Sequence, residues 1–219
     1  MTERGNLPTQ RVNISTQKML GGIGSILIML GWATEIEILL ILSIVGVVLL
    51  LISIYQLSKK LEKPRIFQNV LISLILAVAV TVLAFVFEEL WEGIKPYVSM
   101  GDMGDEVLAD IEWVILVGIV AAYAILVVSA YFYKQAFEIL ASTTAHNLFR
   151  IVGLLIFIGV IITPILYVLA LLLMYAGYIT IHAMESLKDV FFPLLIIVSY
   201  IVLAVAFFTA PKEVEVQGT

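Results

Sequence analysis

Apolar runs without a single charged residue recur along this chain, and they limit its fold more than any other feature. Seven such segments lie between the charged residues: Met19–Thr34, Ile38–Leu57, Ile66–Phe87, Trp113–Tyr133, Ile151–Thr163, Pro164–Ile181 and Val190–Ala210. Most are close to the twenty residues that a helix needs to cross a hydrocarbon layer roughly 30 Å thick. The chain is only 13% charged, about half the value of a soluble domain. The sequence predicts an all-α, polytopic transmembrane bundle in the cell membrane.

The number of spans depends on the stretch from Ile151 to Ile181. As one helix of 31 residues it would be about 46 Å long, which exceeds the hydrocarbon layer unless the helix tilts strongly. Pro164 also favours a break, because proline lacks the N–H that an unbroken helix uses and clashes with the preceding turn. Seven spans are therefore predicted, with six as the alternative.

The positions of lysine and arginine predict the orientation. With seven spans, ten of these residues share the side of the N-terminus: Arg4, Arg11, Lys18, Lys59, Lys60, Lys63, Arg65, Lys134, Arg150 and Lys188. Lys95 and Lys212 fall on the other side. The positive-inside rule then places the N-terminus in the cytoplasm, and an odd number of spans places the C-terminus outside. Merging the fifth and sixth spans exchanges Lys188 for Lys212, so this count does not separate six spans from seven.

The charged stretches divide the chain into three parts. Residues 1–18 form a cytoplasmic N-terminal segment without the apolar core of a cleavable signal peptide, residues 19–210 a single transmembrane domain, and residues 211–219 a C-terminal tail. An outer loop over 88–112 carries eight acidic residues, of which Asp105, Glu106 and Asp110 are predicted to lie in the first turns of the fourth helix, where acids complement the helix dipole.

Glycines repeat at an offset of 131 residues, with Gly22 matching Gly153 and Gly46 matching Gly177. This spacing favours two three-helix repeats joined by a connecting helix. Because a single helix connects them, the two repeats would have the same orientation and be related by an axis along the membrane normal.

Four short stretches of the first half carry a resemblance to a known family: Lys18–Ser25, Ile44–Val47, Ile54–Ser58 and Ile66–Asn69. They resemble a mainly archaeal family of small multi-pass membrane proteins known only as a domain of unknown function. The resemblance covers roughly the first 75 residues and the region Phe149–Gly153. It implies a membrane-spanning architecture, and it implies no activity, because that family has no assigned reaction or substrate.

Small residues at helical spacing predict where helices pack. Such residues let helix backbones approach closely in membranes, and seven of them are candidates for packing: Gly22, Gly24, Ser73, Ala77, Thr81, Gly118 and Ala122. Gly22 and Gly24 open the first span, in a run that lacks the Gly-Lys-Ser or Gly-Lys-Thr ending of a phosphate-binding loop. Whether the small faces pair within one chain or between two copies stays open.

Tyr167, Tyr175, Tyr178 and His182 share one face of the predicted sixth helix. Tyrosine combines an apolar ring with a hydroxyl that needs a partner when it is buried, so this stripe is the candidate binding surface for a small molecule. The alternative is structural, with these hydroxyls bonding neighbouring helices.

Basic residues cluster at the second inner turn, in Lys59, Lys60, Lys63 and Arg65, and are predicted to contact anionic lipid. No catalytic residue is predicted, because the chain lacks cysteine and the common hydrolase motifs. No metal site and no cofactor are expected. A net charge of −5 predicts no binding to nucleic acid.

Two functions fit these features. The first is a structural or accessory membrane protein that forms homo-oligomers through its small-residue faces. The second is a channel or facilitator for a small neutral solute, since charge-free spans disfavour ion-coupled transport but not passive permeation. A dry, packed interior favours the first, and a continuous hydrated cavity favours the second.

Overall fold

A computed structural model describes residues 9–32, 37–100, 105–176 and 181–217. These residues form six helices and two short strands in the order β1 (Thr9–Asn13), α1 (Ser15–Trp32), α2 (Glu37–Lys60), α3 (Pro64–Met100), α4 (Asp105–Thr144), α5 (Asn147–Tyr175), α6 (Ile181–Thr209) and β2 (Glu213–Gln217). The predicted all-α architecture is confirmed, and the small two-stranded sheet is an addition that the sequence analysis did not predict.

Four of the helices are long and apolar enough to cross a membrane. Their apolar segments are Ile41–Lys60 in α2, Pro64–Leu90 in α3, Trp113–Thr144 in α4 and Asn147–Ala170 in α5. A shorter apolar segment, Leu194–Thr209, lies in α6. Most side chains of these segments are apolar, a pattern typical of helices that cross a membrane.

The break predicted at Pro164 is wrong, because α5 continues through it. Proline leaves the carbonyl of Val160, four residues earlier, without its usual N–H partner. The Tyr123 hydroxyl on α4 donates to this carbonyl over 3.4 Å and to the carbonyl of Ile161 over 3.5 Å. The Thr163 hydroxyl also donates to the Gly159 carbonyl. Partners from a neighbouring helix and from threonine are what allow proline inside a membrane helix.

Six helices bring the first and last described elements, β1 and β2, to the same end of the bundle. β1 pairs antiparallel with β2, with Arg11 opposite Glu215 and Val12 opposite Val214. This pairing disagrees with an N-terminus and a C-terminus on opposite sides of a membrane. The seven spans and the two triplets with a connecting helix are not confirmed, since the described residues form six helices. An even number of helices returns the chain to its starting side.

Consecutive helices pack against one another, and α6 packs against both α5 and α1. We call one end of this bundle the base: it comprises the sheet, the start of α1, the α2–α3 turn, the α4–α5 turn and the end of α6. Nearly all of the fully buried large side chains lie towards this end.

The stretch 88–112 is largely helical. α3 runs on to Met100 and α4 starts at Asp105, so residues 101–104 lie outside the described part, and the predicted loop is mostly the ends of two helices. With 37 and 40 residues, α3 and α4 are about 55 and 60 Å long. The prediction that Asp105, Glu106 and Asp110 lie in the first turns of the fourth helix is confirmed.

Candidate functional site

The base holds a polar network between α1 and α2. Gln17 is buried, and its amide donates to the side chain of Gln56 over 2.8 Å, while Ser53 donates to its backbone carbonyl over 2.7 Å. Lys60 donates to the Asn13 carbonyl over 2.7 Å and to the Gln17 amide oxygen over 3.2 Å. A buried amide with all of its groups paired costs little and fixes the register of its two helices.

Aromatic rings fill the base beside this network. Phe137, Phe149 and Phe207, from α4, α5 and α6, are each at most 1% exposed. The rings of Phe149 and Phe207 meet edge to face at 5.2 Å between centroids, and those of Phe137 and Phe149 lie 6.1 Å apart. Edge-to-face geometry is the favourable arrangement for aromatic rings. We call these three residues the phenylalanine plug, because they join three helices into one dense core.

His146 links the α4–α5 turn to the end of α6. Its Nε2 lies 3.0 Å from the Thr209 hydroxyl, which itself donates to the Val205 carbonyl over 2.6 Å. Because the single hydroxyl proton is used there, Thr209 accepts from an N–H of His146. Burial lowers the pKa of His146, and the nearby positive charge of Lys18 lowers it further.

The turns of the base share one unusual backbone feature. Glu62 and Ala145 both have positive φ, at 54° and 51°. In each turn the next residue donates back across the helix end, Lys63 to the Ser58 carbonyl and His146 to the Ala141 carbonyl. This bond pattern is a Schellman motif, in which glycine usually occupies the left-handed position.

The predicted lipid-binding residues lie at the α2–α3 turn. Lys59, Lys60, Lys63 and Arg65 are all exposed. Lys60 differs from the others in that its ammonium bonds Asn13 and Gln17. Three of the four cations therefore point to solvent without an ion-pair partner among the described residues.

The predicted small residues lie mainly at contacts within this one chain. Gly24 faces Gly46 where α1 crosses α2, and a methyl group on Gly24 would lie 2.7 Å from the Gly46 carbonyl oxygen. Ser73 and Ser129 join α3 to α4, with 3.1 Å between their hydroxyl oxygens and a 2.9 Å bond from Ser129 to the Ser73 carbonyl.

The remaining predicted packing residues have less uniform surroundings. Gly22 lies against the ring of Phe208, and Gly118 lies against the ring of Phe87. Ala77 and Ala122 are half-buried, whereas Thr81 is exposed and bonds the Ala77 carbonyl of its own helix.

The side chains of the predicted tyrosine stripe lie outside the part of the chain that the structure describes. Tyr167 and Tyr175 belong to α5 and His182 to α6, but their side chains, like the whole of Tyr178, lie outside the described residues. The stripe was predicted on one helix, whereas α5 ends at Tyr175 and α6 begins at Ile181. It therefore stays a prediction, now divided between two helices.

Two polar features of α4 were missed by the sequence analysis. Lys134 pairs with Glu138 over 3.4 Å and lies 5.4 Å from the ring centre of Phe157 on α5. The buried hydroxyl of Tyr133 has no partner among the described residues. The signal in the sequence was the spacing of four between Lys134 and Glu138, which indicates that the helix continues past the apolar segment.

Residues that could bind a metal do not cluster in the described ranges: these contain no group of three or more His, Asp or Glu side chains in a suitable arrangement. The chemistry of the base is thus that of hydrogen bonds, aromatic packing and exposed cations.

Comparisons with known proteins agree with the resemblance noted above. A family model described as "Protein of unknown function (DUF996)" matches residues 42–179. An uncharacterized protein from Methanocaldococcus jannaschii is 31% identical over 183 residues, which cover 82% of this chain and 96% of that protein. No solved structure matches.

Proposed function

Because this chain belongs to DUF996, a family of proteins of unknown function, we propose its role from the structure alone. It is a structural or accessory membrane protein with six spans that associates with copies of itself in the bilayer. The positively charged side chains of the base contact anionic lipid at the cytoplasmic face. The observation that carries this proposal is the closed base, where the phenylalanine plug and the sheet cover the end of the bundle.

A closed base disfavours a permeation path. A solute that followed the bundle axis would have to pass Phe137, Phe149 and Phe207, and then Val214 and Val216 of the sheet, all of which are buried. Close packing of such buried side chains disfavours a route for water through the base. The described interior therefore fits a scaffold better than a channel for a small neutral solute.

The orientation proposed for the six spans follows from the paired chain ends. With the base inside, Lys212 joins the inner residues and Lys188, near the start of α6, moves outside. The inner side keeps ten of the twelve lysines and arginines. The positive-inside rule then supports a cytoplasmic location for both ends.

Self-association is proposed to use α4. In the most apolar 18-residue stretches of α3 and α4, 11% of the residues are buried within the chain, against 33% in the corresponding stretch of α2. Val117, Ala121 and Ala124 are exposed at spacings of four and three on α4, so a second helix could approach closely there.

The base is proposed to bind lipid through Lys59, Lys63 and Arg65. Near an anionic leaflet each such cation contributes about 1 kcal/mol of attraction. Replacing the three with glutamine should abolish the extra thermal stability that phosphatidylglycerol gives over phosphatidylcholine, whereas Lys95→Gln at the far end should not. Equal losses in both variants would contradict a specific role for the base.

Solute flux tests the closed base. Proteoliposomes and protein-free vesicles should be equally permeable to glycerol and urea in a stopped-flow shrinkage measurement. Protein-dependent flux would overturn the scaffold and favour the facilitator.

Disulfide crosslinking tests self-association. The chain has no cysteine of its own, so any disulfide must form at the introduced position. Ala121→Cys on α4 should form disulfide-linked dimers in membranes on oxidation. Ile44→Cys, at an exposed position on α2, is the matched control and should stay monomeric. Equal crosslinking at both positions, or none at either, would contradict association through α4.

A further inference from the structure

The last described residues form a strap across the base. This C-terminal strap, residues 210–217, begins where α6 ends, and Lys18 of α1 donates to its Ala210 carbonyl. Ile14 donates to the Lys212 carbonyl over 2.9 Å, and β2 then pairs with β1. Val214 and Val216 point into the core and are 5% and 8% exposed. The strap therefore covers apolar surface that water would reach if it detached.

His146 binds the residue from which the strap departs. Thr209 is the last residue of α6, and it accepts a hydrogen bond from Nε2–H of His146, because its own proton goes to Val205. Nε2 thus keeps its proton in both charge states of the ring, and titration takes place at Nδ1.

The charges around His146 oppose its protonation. Lys18, which approaches from α1, is the charged group that acts on the ring. Thr209 of α6 and Phe149 of α5 are uncharged neighbours. No carboxylate pairs with His146 in the parts of the chain that the structure describes. A proton on Nδ1 therefore places a second positive charge beside the lysine that holds the strap.

We propose that His146 is a pH-sensitive latch, whose protonation weakens the attachment of the C-terminal strap to the base. Protonated His146, which is bonded to Thr209 next to the strap, then repels the ammonium of Lys18, which holds the strap at Ala210. Detachment of the strap releases Lys18 from Ala210, so that its ammonium can move away from the imidazolium and the repulsion is relieved. This inference concerns the base alone and does not depend on self-association or lipid binding.

The direction of the pH effect follows from linkage. The pKa of His146 lies below its ordinary value of 6.5 while the base is closed, and detachment lets it rise towards that value. The open form therefore binds more protons, so acidification through pH 6.5 favours opening. The effect levels off once His146 is protonated in both forms.

A single cysteine reports opening in this cysteine-free chain. We would place it by Val216→Cys, which is buried, and measure its rate of reaction with a thiol reagent in nanodiscs from about pH 7.5 to pH 5. Dividing by the rate for Gln10→Cys, an exposed position on β1, removes the pH dependence of the thiol itself. We expect this ratio to rise about twofold or more on acidification.

Two further variants identify the latch. His146→Gln keeps an N–H donor for Thr209 but does not titrate, so the ratio should not change with pH. Lys18→Gln keeps a donor for Ala210 without the charge, so the rise should shrink. A flat ratio in the parent chain, or the same rise in His146→Gln, would overturn the proposal.

If Val216→Cys fails to fold, amide hydrogen exchange of residues 213–217 replaces the thiol rate, measured in the unaltered protein and in His146→Gln. Protection should then fall on acidification in the unaltered protein alone.

Discussion

The base and the parts of α3 and α4 far from it contain similar apolar residues but bury them to different degrees. Phe207 at the base is 0% exposed, whereas Phe85 on α3 is 63% exposed. In the proposed orientation the base faces water, where the hydrophobic effect rewards burial. In the same proposal the other ends of α3 and α4 face lipid, which is as apolar as the side chains and does not drive them together. Phenylalanine therefore stabilises the protein by packing against other side chains at the base, and by contact with lipid chains on α3.

The largest effect should come from removing one ring of the phenylalanine plug. Phe207→Ala should lower the free energy of unfolding by about 3 to 5 kcal/mol, because a large buried ring is replaced by a cavity. Phe85→Ala on α3 is the matched control and should stay within about 1 kcal/mol of the parent. Unfolding in mixed detergent micelles measures both, and similar losses would show that the two regions do not differ.

Glycine contacts give a graded test of packing. Gly24→Ala should cost about 1 to 3 kcal/mol, because the new methyl group would meet the backbone of Gly46 and Leu50, at 2.7 and 2.9 Å, which cannot rotate away. Gly118→Ala should cost less, since the neighbour is the Phe87 ring. Gly93→Ala meets nothing within 4 Å and should stabilise the helix by roughly 0.5 to 1 kcal/mol.

Thermal melting of the three glycine variants would rank them. Gly24→Ala should melt lowest and Gly93→Ala highest, and the reverse order would contradict the close crossing of α1 and α2.

Two tyrosines on α4 should respond in opposite ways to loss of the hydroxyl. Tyr123→Phe should lower stability by about 0.5 to 1.5 kcal/mol, since its hydroxyl bonds the Val160 carbonyl, which Pro164 leaves without an N–H partner, and the Ile161 carbonyl. Tyr133→Phe should leave stability unchanged or raise it, because its buried hydroxyl has no partner among the described residues. Equal losses would indicate that Tyr133 has a partner, such as a buried water.

The smallest effect concerns the turns of the base. Ala145→Gly should stabilise the protein by a few tenths of a kcal/mol. It removes about 1 kcal/mol of left-handed strain, and part of this gain is lost because glycine makes the unfolded chain more flexible. Ala141→Gly, inside α4, is the control and should destabilise by roughly 0.5 to 1 kcal/mol. A loss in both variants would mean that the turn does not favour glycine.

Much of the candidate site could be read from local sequence, and the exceptions have one origin. The exposed cations of the α2–α3 turn and the glycines of α1 are visible as short patterns. The phenylalanine plug, the His146–Thr209 bond and the surroundings of Tyr133 are not, because each depends on which helices become neighbours. Alternating valines and glutamates in residues 213–217 were the one local sign of β2.

The amino-acid sequence by itself determined the helical class, the apolar segments and the strong bias of basic residues to one side. These properties add up residue by residue from the cost of placing each side chain in hydrocarbon or water. The tertiary structure decided that α5 continues through Pro164 and that the chain ends meet. Tyr123 supplies its hydroxyl from 41 residues before Pro164 in the chain, and β1 pairs with a strand about 200 residues away. A backbone group left without a local partner is satisfied by whatever the fold brings to it, and no local pattern encodes that partner.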